Sequence, residues 1–284
     1  MIKLLKLFLC SALTLATCAV SAEEKSADKP LEIGVVPYLS ARLTISRFEP
    51  LRLYLEQTLG KPVKLYTANS FKSFLLQAQG GDYDLVINAS HFARILQKEN
   101  NFIPLLRVLP DSRALLMSAV SGPVTTNEDL RGQIIAVPDK LALATIIVLT
   151  ELREKGLKEG SDFRLMLVPS FASAILAVQK GDASAAITSQ AILQKMPQEQ
   201  QDSVKPLLDA GKLSRLIFLA HPRLGKAESL KISNAVLKFS RDTEEGKKFT
   251  EDLGFENIIP ITSKEMNRLD RYIPETKRLL AETP

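Results

Sequence analysis

Two histidines, His91 and His221, and two cysteines, Cys10 and Cys18, are the chain's whole stock of nitrogen bases and soft ligands. Their spacing makes neither a thiolate metal site nor an HExxH zinc helix. No G-x-S-x-G elbow, G-x-x-x-x-G-K-[ST] phosphate loop or G-x-G-x-x-G fingerprint is present. Asp82 and Asp84 are close in sequence, but they follow Gly80-Gly81 and read as turn and strand-entry residues rather than as a general acid and base. What remains suits holding a solute rather than converting it. Tyr38 offers a ring platform, and Ser40, Ser70, Asn88, Ser90, Asp139, Thr145 and Ser170 offer polar contacts. Leu141 and Phe171 offer apolar surface, with packing as the competing role for Phe71 and Phe171. His91 reads either as a hydrogen-bonding, pH-sensitive contact or as a helix-start residue packed beside Phe92. His221, with Pro222 turning the chain after it, reads as structural. No catalytic residue, metal or cofactor is expected.

These residues fall in loops that an internal repeat aligns. Residues 70–87, SFKSFLLQAQGGDYDLVI, and residues 170–187, SFASAILAVQKGDASAAI, are identical at eight of eighteen positions without a gap. Upstream, Ile33-Gly34-Val35-Val36-Pro37 echoes Ile134-Ile135-Ala136-Val137-Pro138 at an offset of 101 rather than 100. Each copy predicts a strand ending at Val-Pro (31–37; 133–138) and an amphipathic helix (about 46–59; about 142–155) closed by Gly60 or Gly156. A second strand (62–67; 162–168), a helix opened by serine (70–79; 170–179) and a third strand (84–88; 183–187) follow. Apolar, mostly unalternating strands between helices predict parallel sheets covered on both faces, and hence two α/β lobes of similar plan. Ligands of such sheets sit beyond the carboxyl ends of the strands, near helix N-termini. That places 38–40, 70–71, 88–92, 139–145 and 170–171 around one cleft.

The ends and the composition set the setting. Lys3 and Lys6, the apolar stretch from Leu7 to Val20 and the small-residue site Val20-Ser21-Ala22 read as a secretory signal over 1–22, followed by a flexible leader over 23–30. Leu15-Ala16-Thr17-Cys18 resembles a lipobox, but Thr17 is bulkier than the residue usual before a lipidated cysteine, so cleavage after Ala22 and a periplasmic location are expected. Both cysteines lie in the signal, so the exported chain must be held by its core rather than by disulfides. The net charge of +5 comes from scattered basic residues, not the stripe of a nucleic-acid binder, and no nucleic-acid partner is expected.

The pieces Ile33-Gly34-Val35-Val36-Pro37-Tyr38-Leu39-Ser40, Phe48-Glu49-Pro50-Leu51-Arg52-Leu53-Tyr54-Leu55-Glu56 and Glu128-Asp129-Leu130-Arg131-Gly132, with Ser170-Phe171 and Ala177-Val178-Gln179-Lys180-Gly181-Asp182, resemble the phosphonate-binding family of ABC-transporter periplasmic proteins, which have the type 2 periplasmic-binding fold. The resemblance implies two doubly wound lobes joined by two crossing segments, placed near Ser112–Ser118 and Leu213–Leu219. It divides the chain into a first part of lobe 1 (31–113), lobe 2 (114–217) and a return to lobe 1 (218–284) that ends in helices over about 226–240 and 264–282. It implies a small-molecule ligand and an inner-membrane ABC permease as partners of a monomer; a ligand-sensing protein that signals to a membrane sensor is the alternative.

The departures bear on the ligand. The family's Ser/Thr-rich loop after the first strand of the second lobe reads here Asp139-Lys140-Leu141-Ala142-Leu143-Ala144-Thr145, with Thr145 as its one hydroxyl. The family's Ser-His at the second-lobe helix start is Ser170-Phe171, and its tyrosine loop after the third strand is Asn88-Ala89-Ser90-His91-Phe92. A dianion needs several charge-assisted donors to offset its desolvation, and Leu141 to Ala144 supply no polar side chains. The expectation is a phosphate- or phosphonate-type transport component whose ligand is either a related oxyanion, held by backbone N–H groups where the helix begins near Ala142, or a molecule less polar than the family's usual one.

Overall fold

The protein is described from a computed structural model covering residues 29–282. The expected signal, with Cys10 and Cys18, and residues 23–28 of the leader lie outside the described residues. The chain opens with β1 (Leu31–Val35), α1 (Ala41–Leu59), β2 (Val63–Tyr66), α2 (Phe71–Gly80), β3 (Leu85–Ala89), α3 (Ser90–Asn100) and β4 (Ile103–Leu109). It then runs through β5 (Ser112–Ala119), β6 (Ile134–Val137), α4 (Leu143–Glu154), β7 (Arg164–Leu167), α5 (Phe171–Lys180) and β8 (Ala185–Ser189). Short helices α6 (Gln190–Leu193) and α7 (Gln198–Asp202) precede β9 (Val204–Leu213) and β10 (Leu216–Ala220). The last elements are α8 (Gly225–Asp242), α9 (Glu244–Asp252), β11 (Asn257–Pro260), α10 (Ser263–Asn267) and α11 (Ile273–Glu282).

Two sheets result, in the orders β2-β1-β3-β10-β4-β11 and β7-β6-β8-β5-β9. In each, a parallel trio built by the repeat (β2-β1-β3; β7-β6-β8) is extended by a strand that arrives from the other lobe and runs antiparallel to it (β10 on β3; β5 on β8). The sheets are therefore mixed rather than wholly parallel. The chain passes between them at Pro110-Asp111 and at Ser214-Arg215, so Ser112–Ala119 lies entirely in the second sheet and Leu216–Ala220 entirely in the first. Both passages come slightly before the expected boundaries at 113/114 and 217/218. They also narrow the crossing to two residues each, because strand pairing resumes at once on either side.

The register corrects the upstream echo. Gly34 lies beside Val86 and Ala136 beside Ala186, so the first strands of the two lobes correspond at an offset of 102, not the 101 read from the Val-Pro match. Gly34 therefore corresponds to Ala136. A Cβ on Gly34 would stand 2.5 Å from the Tyr83 ring, which stacks on Phe74; one hundred residues on, those two aromatics are Ala183 and Ala174 and leave room for the Ala136 methyl. The Gly-Asp turn is the same in both lobes, since Gly81 and Gly181 both cap their helices at φ of 86° and 80°, where a side chain would be strained.

Helix α1 starts at Ala41, before the expected position near 46. Ser40 caps it, and Thr44 and Phe48 continue the buried stripe of Leu51, Leu55 and Leu59 at helical spacing. The expected terminal helix over 264–282 is broken into α10, a tight turn at Arg268–Tyr272 and α11. Among the described residues no helix is long and apolar enough to cross a membrane.

Candidate ligand cleft

The strand ends of both lobes meet. At the mouth, a cavity of about 100 Å³ is walled by Tyr38, Ser70 and Phe71 from the first lobe and by Asp139, Ser170 and Phe171 from the second. Deeper in, a second cavity of about 100 Å³ shares Tyr38, Phe71 and Phe171 with the mouth. Its other walls include Ala142, Leu143 and Ala144 at the start of α4, Ile192, Leu213, Leu216 and Phe255, with Ser112, Ser189 and Ser214 as small polar members. Arg215 is the one charged side chain among its described lining residues. On the far side, Ser112, Ala191, Arg215 and Phe255 are shared with a larger, polar annexe of about 440 Å³ that also carries Asp111, Lys195, Glu251 and Glu256.

Of the expected ligand contacts, the structure brings Tyr38, Ser70, Asp139, Ser170 and Phe171 to these walls. Ser40, Asn88, Ser90, His91, Leu141 and Thr145 line none of the three cavities. Ser40 is an exposed helix cap, and the other five are buried. Phe71 and Phe171, for which packing was the competing role, are mostly buried and still form cleft walls.

The hydroxyls of Ser70 and Ser170, which open α2 and α5 at the cleft, are engaged within their own helices. Ser70 Oγ accepts from the Ser73 amide at 3.1 Å, and Ser170 Oγ accepts from the Ser173 amide at 3.1 Å. Each hydroxyl also meets the Oγ of that second serine at 3.0 Å. Helix α4 differs: its cap residue, Ala142, supplies no side-chain bond, and the Thr145 hydroxyl is buried without a partner. Asp139 Oδ1 accepts from the Leu141 amide at 2.8 Å, and burial raises the Asp139 pKa against that bond.

His91 ties the lobes together. Its Nε2 lies 3.0 Å from the Leu141 carbonyl oxygen across the cleft. A carbonyl only accepts, so the neutral ring carries its proton on Nε2, and Nδ1 is buried without a partner. Burial pulls the His91 pKa down to about 4, against the raising effect of that bond. The ring also sits 4.0 Å from that of Phe92, which is the packing role read for His91. Two further contacts span the lobes: Arg153 with Glu275 at 2.8 Å, and Lys195 Nζ donating to the Glu251 carbonyl at 3.0 Å.

Arg215 is the residue that sequence reasoning missed. It occupies the second crossing segment, where its guanidinium donates to the carbonyls of Gly254 (2.5 Å) and Leu253 (3.0 Å) and lies 4.7 Å over the Phe255 ring. No carboxylate within the described residues pairs with it as a salt bridge. The available signal was a lone arginine in Leu213-Ser214-Arg215-Leu216, between two apolar strands. Burial lowers its pKa, and the nearby Tyr38 phenol opposes that. Tyr38 is the reciprocal case: burial raises its pKa, Arg215 and Arg47 pull it down, and its hydroxyl has no hydrogen-bond partner.

Solved structures share this fold. PhnD1 from Prochlorococcus marinus, in complex with methylphosphonate, superposes with a TM-score of 0.78 at 12% identity, over 88% of this chain and 99% of that one. A binding-protein component of an ABC phosphonate transporter from Pseudomonas aeruginosa gives 0.73 at 13% identity, over 89% and 98%. A Xanthomonas citri protein bound to ATP gives 0.76 at 15% identity, over 90% and 99%. At these identities the likeness establishes the fold, that of type 2 periplasmic binding proteins. Residues 33–266 match the family described as "ABC transporter, phosphonate, periplasmic substrate-binding protein". With two mixed α/β lobes, two short crossings and a cleft at the strand ends, the chain belongs to the periplasmic substrate-binding proteins of phosphonate ABC transporters.

Proposed function

We propose that this chain is an exported, monomeric, non-catalytic binding protein that takes up a small solute with a substantial apolar body and delivers it to an inner-membrane ABC permease. The observation that carries this reading is the inner wall of the cleft, where Ala142, Leu143 and Ala144 stand at the start of α4 beside Phe71, Phe171 and Phe255. A phosphonate dianion needs donors aimed at several oxygens, and the Ser70 and Ser170 hydroxyls are already held by Ser73 and Ser173. A charge-assisted hydrogen bond contributes roughly 1.5–3 kcal/mol, so two or three fewer weaken oxyanion binding by several orders of magnitude. Export by the signal read at 1–22 belongs to the same proposal. Transport is favoured over signalling by the family match, whose members are transporter components.

Calorimetry on the mature protein tests the ligand class, titrating methylphosphonate, phosphite and phosphate against a panel of apolar metabolites. The expected result is weak or absent oxyanion binding and tighter binding within the panel. Submicromolar affinity for any of the three oxyanions overturns the reading.

A further inference from the structure

Resting on that reading of the cleft, we infer that Arg215, with the Tyr38 hydroxyl beside it, receives the single anionic head of an amphipathic organic molecule, a carboxylate or a sulfonate. The apolar body of that molecule fills the inner cavity.

Three observations converge on this. A guanidinium has five N–H donors in a planar fork, and Arg215 shows acceptors for two of its terminal nitrogens, the carbonyls of Gly254 and Leu253, with none for its Nε among the described residues. Those carbonyls and the Phe255 ring fix the group in place, so little freedom is lost when an anion docks. Tyr38 lines the same cavity, and its buried hydroxyl is a donor with no hydrogen-bond partner among the described residues.

Charge balance sets the head at one negative unit. Among the described residues Arg215 is the sole charged one lining the inner cavity, and none of their carboxylates pairs with it. A singly charged head compensates it; a dianion would leave excess charge against Leu143, Phe171 and Phe255. In the annexe, Lys195 stands among Asp111, Glu251 and Glu256, so that side offers a second negative charge no net attraction. Arg215 also sits in a crossing segment, so a head bound there touches the link between the lobes directly.

Calorimetry with three matched probes, cyclohexanecarboxylate, cyclohexanesulfonate and the neutral cyclohexanecarboxamide, decides the matter. It is run on the mature wild type and on Arg215→Gln, Arg215→Lys and Tyr38→Phe, each checked by circular dichroism and melting temperature. The wild type is expected to bind one or both acids at least tenfold more tightly than the amide, and the acid preferred names the head. Arg215→Gln should bring the acids to within about threefold of the amide. Arg215→Lys should recover part of the preference, and Tyr38→Phe should lose about fivefold on the acids. Should Arg215→Gln not fold, the wild-type contrast and Tyr38→Phe carry the test. Equal affinity of acids and amide for the wild type, or an undiminished preference in folded Arg215→Gln, overturns the inference while leaving an apolar cleft standing. Tight methylphosphonate binding with no ring probe bound overturns the apolar reading beneath it.

Discussion

The two lobes carry one plan and fill it differently. Both use a serine-capped helix, a left-handed glycine before aspartate and a parallel trio of strands extended by a strand from the other lobe. Inside, the first lobe packs Phe74 on Tyr83 against bare Gly34, where the second has Ala174, Ala183 and Ala136. At the cleft, the first lobe begins α1 with a serine cap, whereas the second begins α4 with an uncapped, buried Ala142. One hundred residues after His91, which reaches across to Leu141, stands Ala191 on the cavity wall. Backbone geometry is thus shared where it builds the frame. The lobes diverge where volume is traded within a core and where the ligand is met.

The core contrast breaks first at Phe74, which is fully buried. Phe74→Ala makes the first lobe resemble the second at one position without the compensating changes around it, and should destabilise by about 3–5 kcal/mol. Urea unfolding midpoints measure this. A loss below about 1 kcal/mol would show that the first lobe repacks freely around alanine.

The His91 contrast predicts a pH dependence. An unfolded histidine takes its proton near pH 6.5, while the folded ring does so at about 4, so between these values the unfolded chain binds more protons. The contribution of a neutral buried His91 is complete above pH 6.5 and is lost as pH falls towards 4, on the order of 2–3 kcal/mol at the lower end. The difference between the wild type and His91→Gln in unfolding free energy should therefore shrink as pH drops from 7 to 4.5. A difference that stays constant across that window contradicts a buried neutral ring.

A smaller effect sharpens the volume trade. Gly34→Ala drives a methyl into the Tyr83 ring and should cost about 1–3 kcal/mol. The same change in a Tyr83→Ala background, which approaches the Ala136 and Ala183 pairing of the second lobe, should cost less than half as much. Additive losses in that double-mutant cycle would show that Tyr83 is not what excludes the methyl.

Much of the frame was legible because local chemistry sets it. Ser70 and Ser170 mark helix starts, Gly81 and Gly181 mark helix ends, and the repeat aligned the strands between them. The sheet register was not, since a Val-Pro match reflects a loop entry while Gly34 beside Val86 reflects hydrogen bonding between strands distant in sequence. The strands β4, β9 and β11 and helix α9 were missed for the same reason: each is settled by the partner it packs on. At the cleft, residue types pointed to Tyr38 and Phe171. They could not reveal that His91 is spent on Leu141, or that Arg215 has carbonyls but no carboxylate, because both facts depend on which lobe faces which.

Native mass spectrometry of the protein purified without denaturation from the cells that make it tests the central claim most directly, by weighing what the cleft retains. The account predicts a retained small organic molecule with an apolar body, released on denaturation and identified by its mass and fragments. Retention of phosphate, phosphite or a simple alkylphosphonate in its place would contradict it.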